Sequence, residues 1–421
     1  MKRFFFAAVC LMMVFTCACQ SIPLIVIAES TPSPVPTAEP AITPAISETP
    51  EPAPTPEPEP IRVSVLAAGD LLCLNAQLSA AKKGGDYQFD YCFNEIKEKV
   101  SSADLAIANL ETLVALSFDY TGPAPTAIPT PDTSVDTGGE GTALSTIPVT
   151  PIKAGNTKIN APESYLGAVV NCGFDVLTNA NNHIYDWKDE GTIQTVQKLD
   201  EYGVYHTGAY AVEQEKAPLI IDVKGINISV LAYTDILNNR PGSSNVFMVD
   251  TYSKDLVKAD INAAASSGAD YIIVCMHWGT EHTHQPTSSQ KKMAEFIAKS
   301  GADIIIGSHP HCTQPIDIIE TDNGSVPVVY SLGNFVSSMA KTMHNDGVML
   351  NLVLEKNQIT GETTLAALTY TPTLCTSTGA GRFVVLPADL ESIAQSRNAS
   401  ELNASRKRTI EVLSDTIAIP E

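Results

Sequence analysis

The feature that most constrains the fold of this chain is a regular alternation of short apolar runs with longer segments of helical periodicity. The run "RVSVLAAGD" at 62–70 has the length of a strand, and "SSQKKMAEFIAKSG" at 288–301 has apolar residues at helical spacing. Such alternation is typical of α/β proteins with buried sheets. Two adjacent apolar runs, 217–225 and 226–234, predict an antiparallel pair, so we expect the sheets to be mixed.

Low-complexity segments indicate how the chain is divided. Residues 1–19 have a basic start, an apolar stretch and small residues, which is typical of a secretory signal peptide. The Pro- and Glu-rich residues 20–60 predict a disordered linker, either a stalk or a simple connection. Residues 61–387 are expected to form one domain with a disordered surface insertion at about 119–150. The remaining 388–421 predict a helical or flexible tail.

The leader and the net charge restrict location and partners. Cys19 after "TCA" resembles the lipidated residue of a bacterial lipoprotein, with plain cleavage or a retained N-terminal anchor as alternatives. We therefore expect an exported protein at the extracellular face of the cell membrane, held by a lipid anchor or by its N-terminal segment. A net charge of −21 argues against nucleic acid as a partner.

The cysteines beyond the leader predict buried free thiols rather than a disulfide framework. They are scattered and show no CxxC spacing, and a chain of this length has no need of cross-links. They are Cys73, Cys92, Cys172, Cys275, Cys312 and Cys375.

Polar side chains of metal-binding type follow five successive apolar runs. Singly, each has an ordinary explanation, such as a helix cap for Asp70, a turn for Asn182 or a packed core histidine for His277. Together, carboxylate, amide and imidazole groups at the carboxyl edge of a sheet predict a centre with one or two divalent metal ions, with Mn, Zn or Fe favoured. The candidate ligands are Asp70, Glu111, Asn182, His277, His309 and His311.

The last two candidates lie in the segment "IIIGSHPH" at 304–311. Side chains at i and i+2 of an extended chain point to the same side. We therefore expect His309 and His311 to face one metal centre, or one metal of a pair each, with Gly307 permitting a turn and Pro310 stiffening the backbone between the two imidazoles.

Six motifs occur in order between 62 and 387: "GDLLCL", "NLET", "NANNHIYDW", "MHWGTEH", "GSHPHCTQPI" and "YSLGNF". In this order they resemble the motifs of the CapA family of poly-γ-glutamate capsule synthesis proteins. The resemblance implies a calcineurin-like metallophosphoesterase fold, an αββα sandwich of two mixed β-sheets flanked by helices. It also implies a part in the synthesis of poly-γ-glutamate, capsule or another cell-envelope polymer.

The resemblance also implies roles for individual residues. Asp70 takes the place of the first-strand ligand, Glu111 that of a bridging carboxylate, and Asn182 that of an amide ligand. His277 matches a further ligand, and His309 and His311 match a final pair with one histidine for each metal. His183 matches a non-ligating histidine that protonates a leaving group. The family of phosphoesterases opens with Asp-x-His, whereas Leu71 and Leu72 follow Asp70 here, so one metal or two stays open.

Five more residues complete the predicted site. Asp186 is expected either to hold the second ring nitrogen of His183 or to begin a helix. The other four are candidates for substrate binding or for support of the ligands, with a plain surface histidine as the alternative for His282. They are Asn181, Glu281, His282 and Asn334.

Three functions remain open from the sequence. The first is a hydrolase that uses a metal-activated water, with His183 as general acid, on an envelope polymer or a phosphoester. The second is a non-catalytic anchoring or assembly component that joins other proteins of a capsule synthesis complex. The third is a substrate-capture lipoprotein whose metal is only structural.

Overall fold

The computed structural model of the protein describes residues 58–115 and 159–413. The predicted signal peptide, almost all of the predicted linker, the predicted insertion at 119–150 and the last residues of the tail lie outside the described residues. Within these ranges, no helix combines the length and the apolar character that crossing a bilayer requires.

The described ranges contain sixteen strands and eight α-helices. The strands are β1 (Ile61–Leu71), β2 (Lys82–Lys83), β3 (Asp86–Tyr87), β4 (Leu105–Asn109), β5 (Val176–Thr178), β6 (Tyr205–Thr207), β7 (Leu219–Val223), β8 (Ile226–Thr234), β9 (Tyr271–His277), β10 (Ile304–Ser308), β11 (Thr313–Thr321), β12 (Gly324–Leu332), β13 (Asn334–Val336), β14 (Asp346–Lys356), β15 (Thr363–Ser377) and β16 (Phe383–Pro387). The helices are α1 (Asn75–Ala81), α2 (Lys97–Ser101), α3 (Glu163–Cys172), α4 (Lys188–Glu201), α5 (Lys254–Ser266), α6 (Ser288–Lys299), α7 (Leu390–Gln395) and α8 (Ala399–Leu413).

Two large sheets organise these elements, and both are mixed. The first has the order β16-β15-β14-β1-β4-β5-β6, with β13 beside β1, and the second has the order β11-β12-β10-β9-β8-β7. Strands β1, β4, β5 and β6 run parallel, as do β8, β9, β10 and β12. The predicted antiparallel pair is β7 with β8, so that prediction and the prediction of mixed sheets are confirmed.

The period of two along β1 explains the layering. Val63, Val65 and Ala67 pack into a core that combines side chains of both sheets, whereas Leu66 and Ala68 pack on the other face with α3. Helices α5 and α6 cover the outer face of the second sheet. The layers are therefore helix, sheet, sheet and helix, which confirms the predicted sandwich.

Several local predictions differ from the structure. The segment 89–103, whose apolar spacing predicts one helix, instead contains a 3₁₀ turn at Asp90–Cys92, further turns and the short α2. Its apolar residues keep helical spacing, since Phe89, Phe93 and Ile96 are all buried, and successive turns satisfy this spacing as well as a continuous helix would. Strands β11 and β15 were not predicted, because their mixed or threonine-rich patterns lack a clear apolar run, and the short apolar run of β16 was missed. The tail beyond 388 contains α7 and α8.

Glycine at 307 serves strand packing. Gly307 lies inside β10, and a Cβ at this position would come within 2.0 Å of the carbonyl oxygen of Tyr330 on β12. The expectation that Gly307 permits a turn is wrong, because the missing side chain instead allows two backbones to approach closely. All six cysteines of the described residues are buried and free, as predicted.

Candidate metal centre

The predicted ligands converge where the carboxyl ends of strands from both sheets meet. Asp70 and Glu111 come from β1 and the end of β4 in the first sheet, and His277 comes from β9 in the second. The ligand atoms of Asp70, Glu111 and His277 lie within 4.8 Å of one another, as do those of Glu111, His309 and His311. Glu111 belongs to both groups, which is the position of a carboxylate that bridges two cations.

Glu111 is the residue that tests whether a metal fits. Its side chain is 0% exposed, and neither carboxylate oxygen accepts a hydrogen bond from the described residues. The imidazole nitrogens His277 Nε2 and His311 Nδ1 lie 3.6 Å and 3.7 Å from its two oxygens. Burial raises the pKa of Glu111 well above its usual value, and the charge of Asp70 adds to this despite His311. A cation would stabilise the ionised form of a buried carboxylate that accepts no hydrogen bond, so Glu111 and its neighbours fit a divalent metal.

The imidazoles of the cluster differ in charge. Burial lowers the pKa of His277 well below its usual value and that of His309 to about 4, and neighbouring histidines add to both shifts. These two rings are therefore neutral, which is the form that binds metals. Burial alone would also lower the pKa of His311, but the carboxylates of Glu111 and Asp70 raise it to about 9. Without a metal, the His311 proton supplies the charge that a cation would otherwise provide.

The backbone that carries the last pair of histidines is left-handed. Strand β10 ends at Ser308, and His309 and His311 have φ of 94° and 57°. The expectation that an extended chain points both imidazoles to the same side is therefore wrong. A loop positions them, with ring centroids 5.9 Å apart, and each such φ costs about 1–3 kcal/mol. Backbone strain of this size is typical of functional sites, where the surrounding structure holds it in place.

Asn182 and Asn109 fix the imidazole of His277 from its two sides. Asn182 Oδ1 lies 3.0 Å from His277 Nε2. Asn109 Nδ2 donates to Asp70 Oδ1 at 2.7 Å and lies 3.3 Å from His277 Nδ1. Asn109 was not among the predicted site residues. It ends β4, and a polar residue at a strand end was the signal that identified the other candidates.

His183 and Asp186 form a hydrogen-bonded pair beside these ligands. His183 Nδ1 lies 2.7 Å from Asp186 Oδ2, and the Asp186 side chain is 1% exposed. Asp186 does not cap a helix, because α4 begins at Lys188 after Trp187 and has no side-chain cap. Of the two predicted roles for Asp186, the structure has the hydrogen bond to the imidazole.

Asn238 joins this pair to the ligands and was missed from the sequence. Its Nδ2 lies 3.2 Å from His183 Nδ1 and donates to Asp186 Oδ1 at 3.3 Å, and its Oδ1 accepts from Asn182 Nδ2 at 3.4 Å. The residue follows β8 in an exposed loop. Only the fold brings this loop to the site, so the sequence offered no signal for it.

Two predicted support residues hold loops of the site. Asn181 Nδ2 donates to the Leu110 carbonyl at 2.8 Å, and Asn181 Oδ1 accepts from the His183 amide at 3.1 Å. Asn334 Oδ1 lies 3.1 Å from His311 Nδ1. Both side chains therefore stabilise the positions of neighbouring site residues.

The remaining candidates lie at the edge of the cluster. Glu281 Oε2 lies 3.2 Å from His282 Nε2, and both side chains are partly exposed. The His282 ring lies 6.3 Å from that of His311 and 4.7 Å from that of His344. No pattern in the sequence connects His344 with the cluster, but the turn before β14 brings it beside His282. Leu72 is buried and offers no ligand atom, as the departure from Asp-x-His predicted.

Comparison with known proteins relates part of this chain to a family. Residues 143–339 match the family described as bacterial capsule synthesis protein PGA_cap. The chain is 30% identical over 210 residues to the capsule biosynthesis protein CapA of Bacillus anthracis, and 30% identical over 225 residues to the PGA biosynthesis protein CapA of Bacillus subtilis. Over this region the chain is similar to proteins of the CapA family.

The matched region is about half of each protein. The alignments cover 48% and 52% of this chain, and 49% and 51% of the two relatives. The match at 143–339 includes the segments of Asn182, His183, His277, His309 and His311, whereas Asp70 and Glu111 precede it. The matches confirm the resemblance seen in the motifs.

A solved structure with a similar arrangement is the calcineurin-like phosphoesterase YfkN from Bacillus subtilis. It is 14% identical, the match covers 82% of this chain and 99% of that chain, and the TM-score is 0.37.

Proposed function

We propose that this chain is an exported, metal-dependent hydrolase that acts in the synthesis of a capsule, poly-γ-glutamate or another cell-envelope polymer. The observation that carries the proposal is Glu111, a buried carboxylate without a hydrogen bond that is shared by two groups of ligand atoms. The substrate class is drawn from the two Bacillus relatives, whose names refer to capsule and PGA biosynthesis. Export and membrane anchoring are proposed from the leader alone.

The ligand groups suit one or two divalent ions. Asp70, Glu111 and His277 would hold one, and Glu111, His309 and His311 would hold a second. A divalent ion in such a site acidifies a bound water and neutralises charge on a phosphoryl or carbonyl oxygen. Mixed oxygen and nitrogen donors favour Mn, Zn or Fe over Mg or Ca.

His183 is the group that would move a proton. Its Nδ1 is hydrogen-bonded to Asp186 Oδ2 at 2.7 Å, which fixes the orientation of the ring and leaves Nε2 as the nitrogen that can donate to a leaving group. The Asp186 carboxylate would stabilise the protonated ring. The His183 side chain is 12% exposed, unlike the deeply buried ligands, so a substrate can reach it.

The experiment combines metal content with turnover. The full chain is purified, its metal is measured by elemental analysis, and hydrolysis of a chromogenic phosphodiester and of a γ-linked glutamate oligomer is followed with added Mn²⁺. We expect His183→Ala to keep the metal and to lower turnover by about 10²–10⁴-fold, the usual contribution of general acid catalysis. His309→Ala should lose metal and turnover together.

His206→Ala is the matched control, since His206 pairs with Asp200 at the edge of the first sheet and should leave metal and turnover unchanged. Full activity in His183→Ala or in His309→Ala would refute the proposed mechanism.

One observation favours a non-catalytic role as the second candidate. Leu72 occupies the position at which the metallophosphoesterase pattern has a histidine, and its side chain is 2% exposed and apolar. An anchoring or assembly protein would bind its metal and give no turnover with either substrate, whereas the hydrolase gives turnover with at least one.

A further inference from the structure

A second set of histidines adjoins the metal centre and is incomplete. His344 ends the short turn Thr342–His344, is 3% exposed, and neither ring nitrogen has a hydrogen-bond partner among the described residues. Buried polar atoms are nearly always paired, and an unpaired one costs about 1–3 kcal/mol. A group that is not part of the described chain would therefore complete His344.

His282 has the same property at one of its ring nitrogens. Its ring lies 4.7 Å from that of His344, and its Nδ1 is buried without a hydrogen-bond partner among the described residues. The His282 backbone is left-handed, with φ of 63°, and its amide donates to the Pro310 carbonyl at 2.9 Å. The strained backbone is thus fixed to the loop that carries the metal-ligand histidines.

The two histidines are coupled to the metal centre through Asn334. Its Oδ1 lies 3.1 Å from His311 Nδ1, and its Nδ2 donates to the His344 carbonyl at 3.0 Å. The His282 ring lies 6.3 Å from that of His311. A molecule bound at the edges of the His282 and His344 rings would therefore be a neighbour of one bound at the ligand cluster.

The N–H donors around the pair suit an anion. The Lys341 carbonyl accepts the His344 amide at 2.9 Å, and burial together with the Lys341 ammonium lowers the pKa of both imidazoles, so each ring is neutral and keeps one N–H. Glu281 is the carboxylate that contacts His282, at 3.2 Å, and its side chain is 43% exposed, so it can move into solvent. Imidazole and ammonium N–H groups are suited to anionic oxygens. A third metal is disfavoured, because neither ligand group among the described residues includes His282 or His344.

We propose that His282, His344 and Lys341 form an anion subsite that binds a carboxylate or phosphate group of the substrate beside the metal centre. The proposal rests on the proposed hydrolase function for the identity of the bond that is cleaved next to it. It adds that the substrate carries a second anionic group, as a polymer with an acid in each unit does.

Direct binding tests the subsite without turnover. The full chain is titrated by calorimetry with inorganic phosphate and, separately, with glutarate, both after chelator treatment and after loading with Mn²⁺. Lys341→Gln removes the ammonium charge and His344→Gln removes the imidazole, and we expect each to weaken binding roughly tenfold, the value of one strong hydrogen bond. His206→Gln is the matched control and should bind like the wild type. Thermal unfolding checks that every variant is folded.

The outcomes separate the possibilities. Tighter binding of phosphate or of glutarate assigns the group that the subsite takes, and either result supports it if both variants weaken that binding. Unchanged affinity in the folded variants, or binding of neither probe to the wild type, overturns the proposal. If His344→Gln does not fold, Lys341→Gln decides alone, because this side chain is exposed. An inactive protein with variant-sensitive binding would refute the hydrolase and keep the subsite, whereas an active protein with unchanged binding would refute only the subsite.

Discussion

Two buried carboxylates of this protein have opposite hydrogen-bonding environments. Asp346, at the start of β14, is 2% exposed and receives two hydrogen bonds from Arg408 of α8, at 2.6 Å from Nε and 2.7 Å from Nη2. Glu111 is 0% exposed and receives no hydrogen bond from the described residues. The same chemical group is fully neutralised at one position and left without a partner at the other.

The difference shows what each carboxylate does. A two-pronged guanidinium contact satisfies Asp346 and connects the C-terminal helix to the first sheet, so its role is structural. At Glu111 the fold supplies only imidazoles, at 3.6 Å and 3.7 Å, and burial raises the pKa of the carboxyl well above its usual value. The fold can satisfy a buried acid with its own residues, and it does not do so where we propose that a cation binds.

We expect the largest effect on metal content and turnover from a substitution of Glu111. Glu111→Gln removes the charge that two ligand groups share, so metal content should fall and turnover should drop by at least about a hundredfold, more than loss of a supporting residue costs. The metal-free variant should be at least as stable as the metal-free wild type, because a buried acid without a hydrogen bond is gone. Elemental analysis, turnover and denaturant unfolding measure these quantities. A variant that keeps its metal and its activity would contradict the assignment of Glu111.

We expect the next largest effect, on the free energy of unfolding, when Asp346 loses its partner Arg408. Arg408→Leu leaves this carboxylate buried and unpaired, and the free energy of unfolding should fall by about 2 kcal/mol, less than for a fully buried pair because Arg408 is 39% exposed. Metal content should not change. Lys407→Ala is the matched control on the same helix, since the exposed pair with Glu411 at 3.8 Å should contribute no more than about 0.5 kcal/mol. Equal effects of the two substitutions in chemical denaturation would show that the Asp346 contact is not structural.

We expect the smallest effect from a substitution of Asn238, an uncharged residue that contacts the site through its amide. Asn238→Ala removes an amide that contacts Asn182, His183 and Asp186, and turnover should fall roughly tenfold, within the range for residues that orient ligands. The fall should be in kcat, with little change in KM or metal content. Asn239→Ala is the control, since its amide contacts only Lys188 at 3.3 Å among the described residues. If the two variants behave alike, Asn238 does not position the His183–Asp186 pair.

Much of the site was predictable because strand ends are visible in sequence. Asp70, Glu111, His277 and the 309–311 pair each follow an apolar run, and parallel strands bring their carboxyl ends to one edge. The reason given for the histidine pair was wrong, since the left-handed backbone at 309 and 311 depends on contacts from elsewhere in the fold. Asn238 and His344 were missed because they lie on loops whose position no local pattern encodes.

The strands, the helices and the types of ligand atom could be predicted from the sequence alone. The periods of apolar residues define strands and helices, and the residue types at the strand ends define a mixed oxygen and nitrogen site, because both properties are local to the chain. Only the tertiary structure decided which acid is satisfied and which is not, that Glu111 serves two ligand groups, and that His282 and His344 meet. These depend on residues far apart in sequence, such as Asp346 with Arg408, whose contact exists only after both sheets and the C-terminal helix have packed.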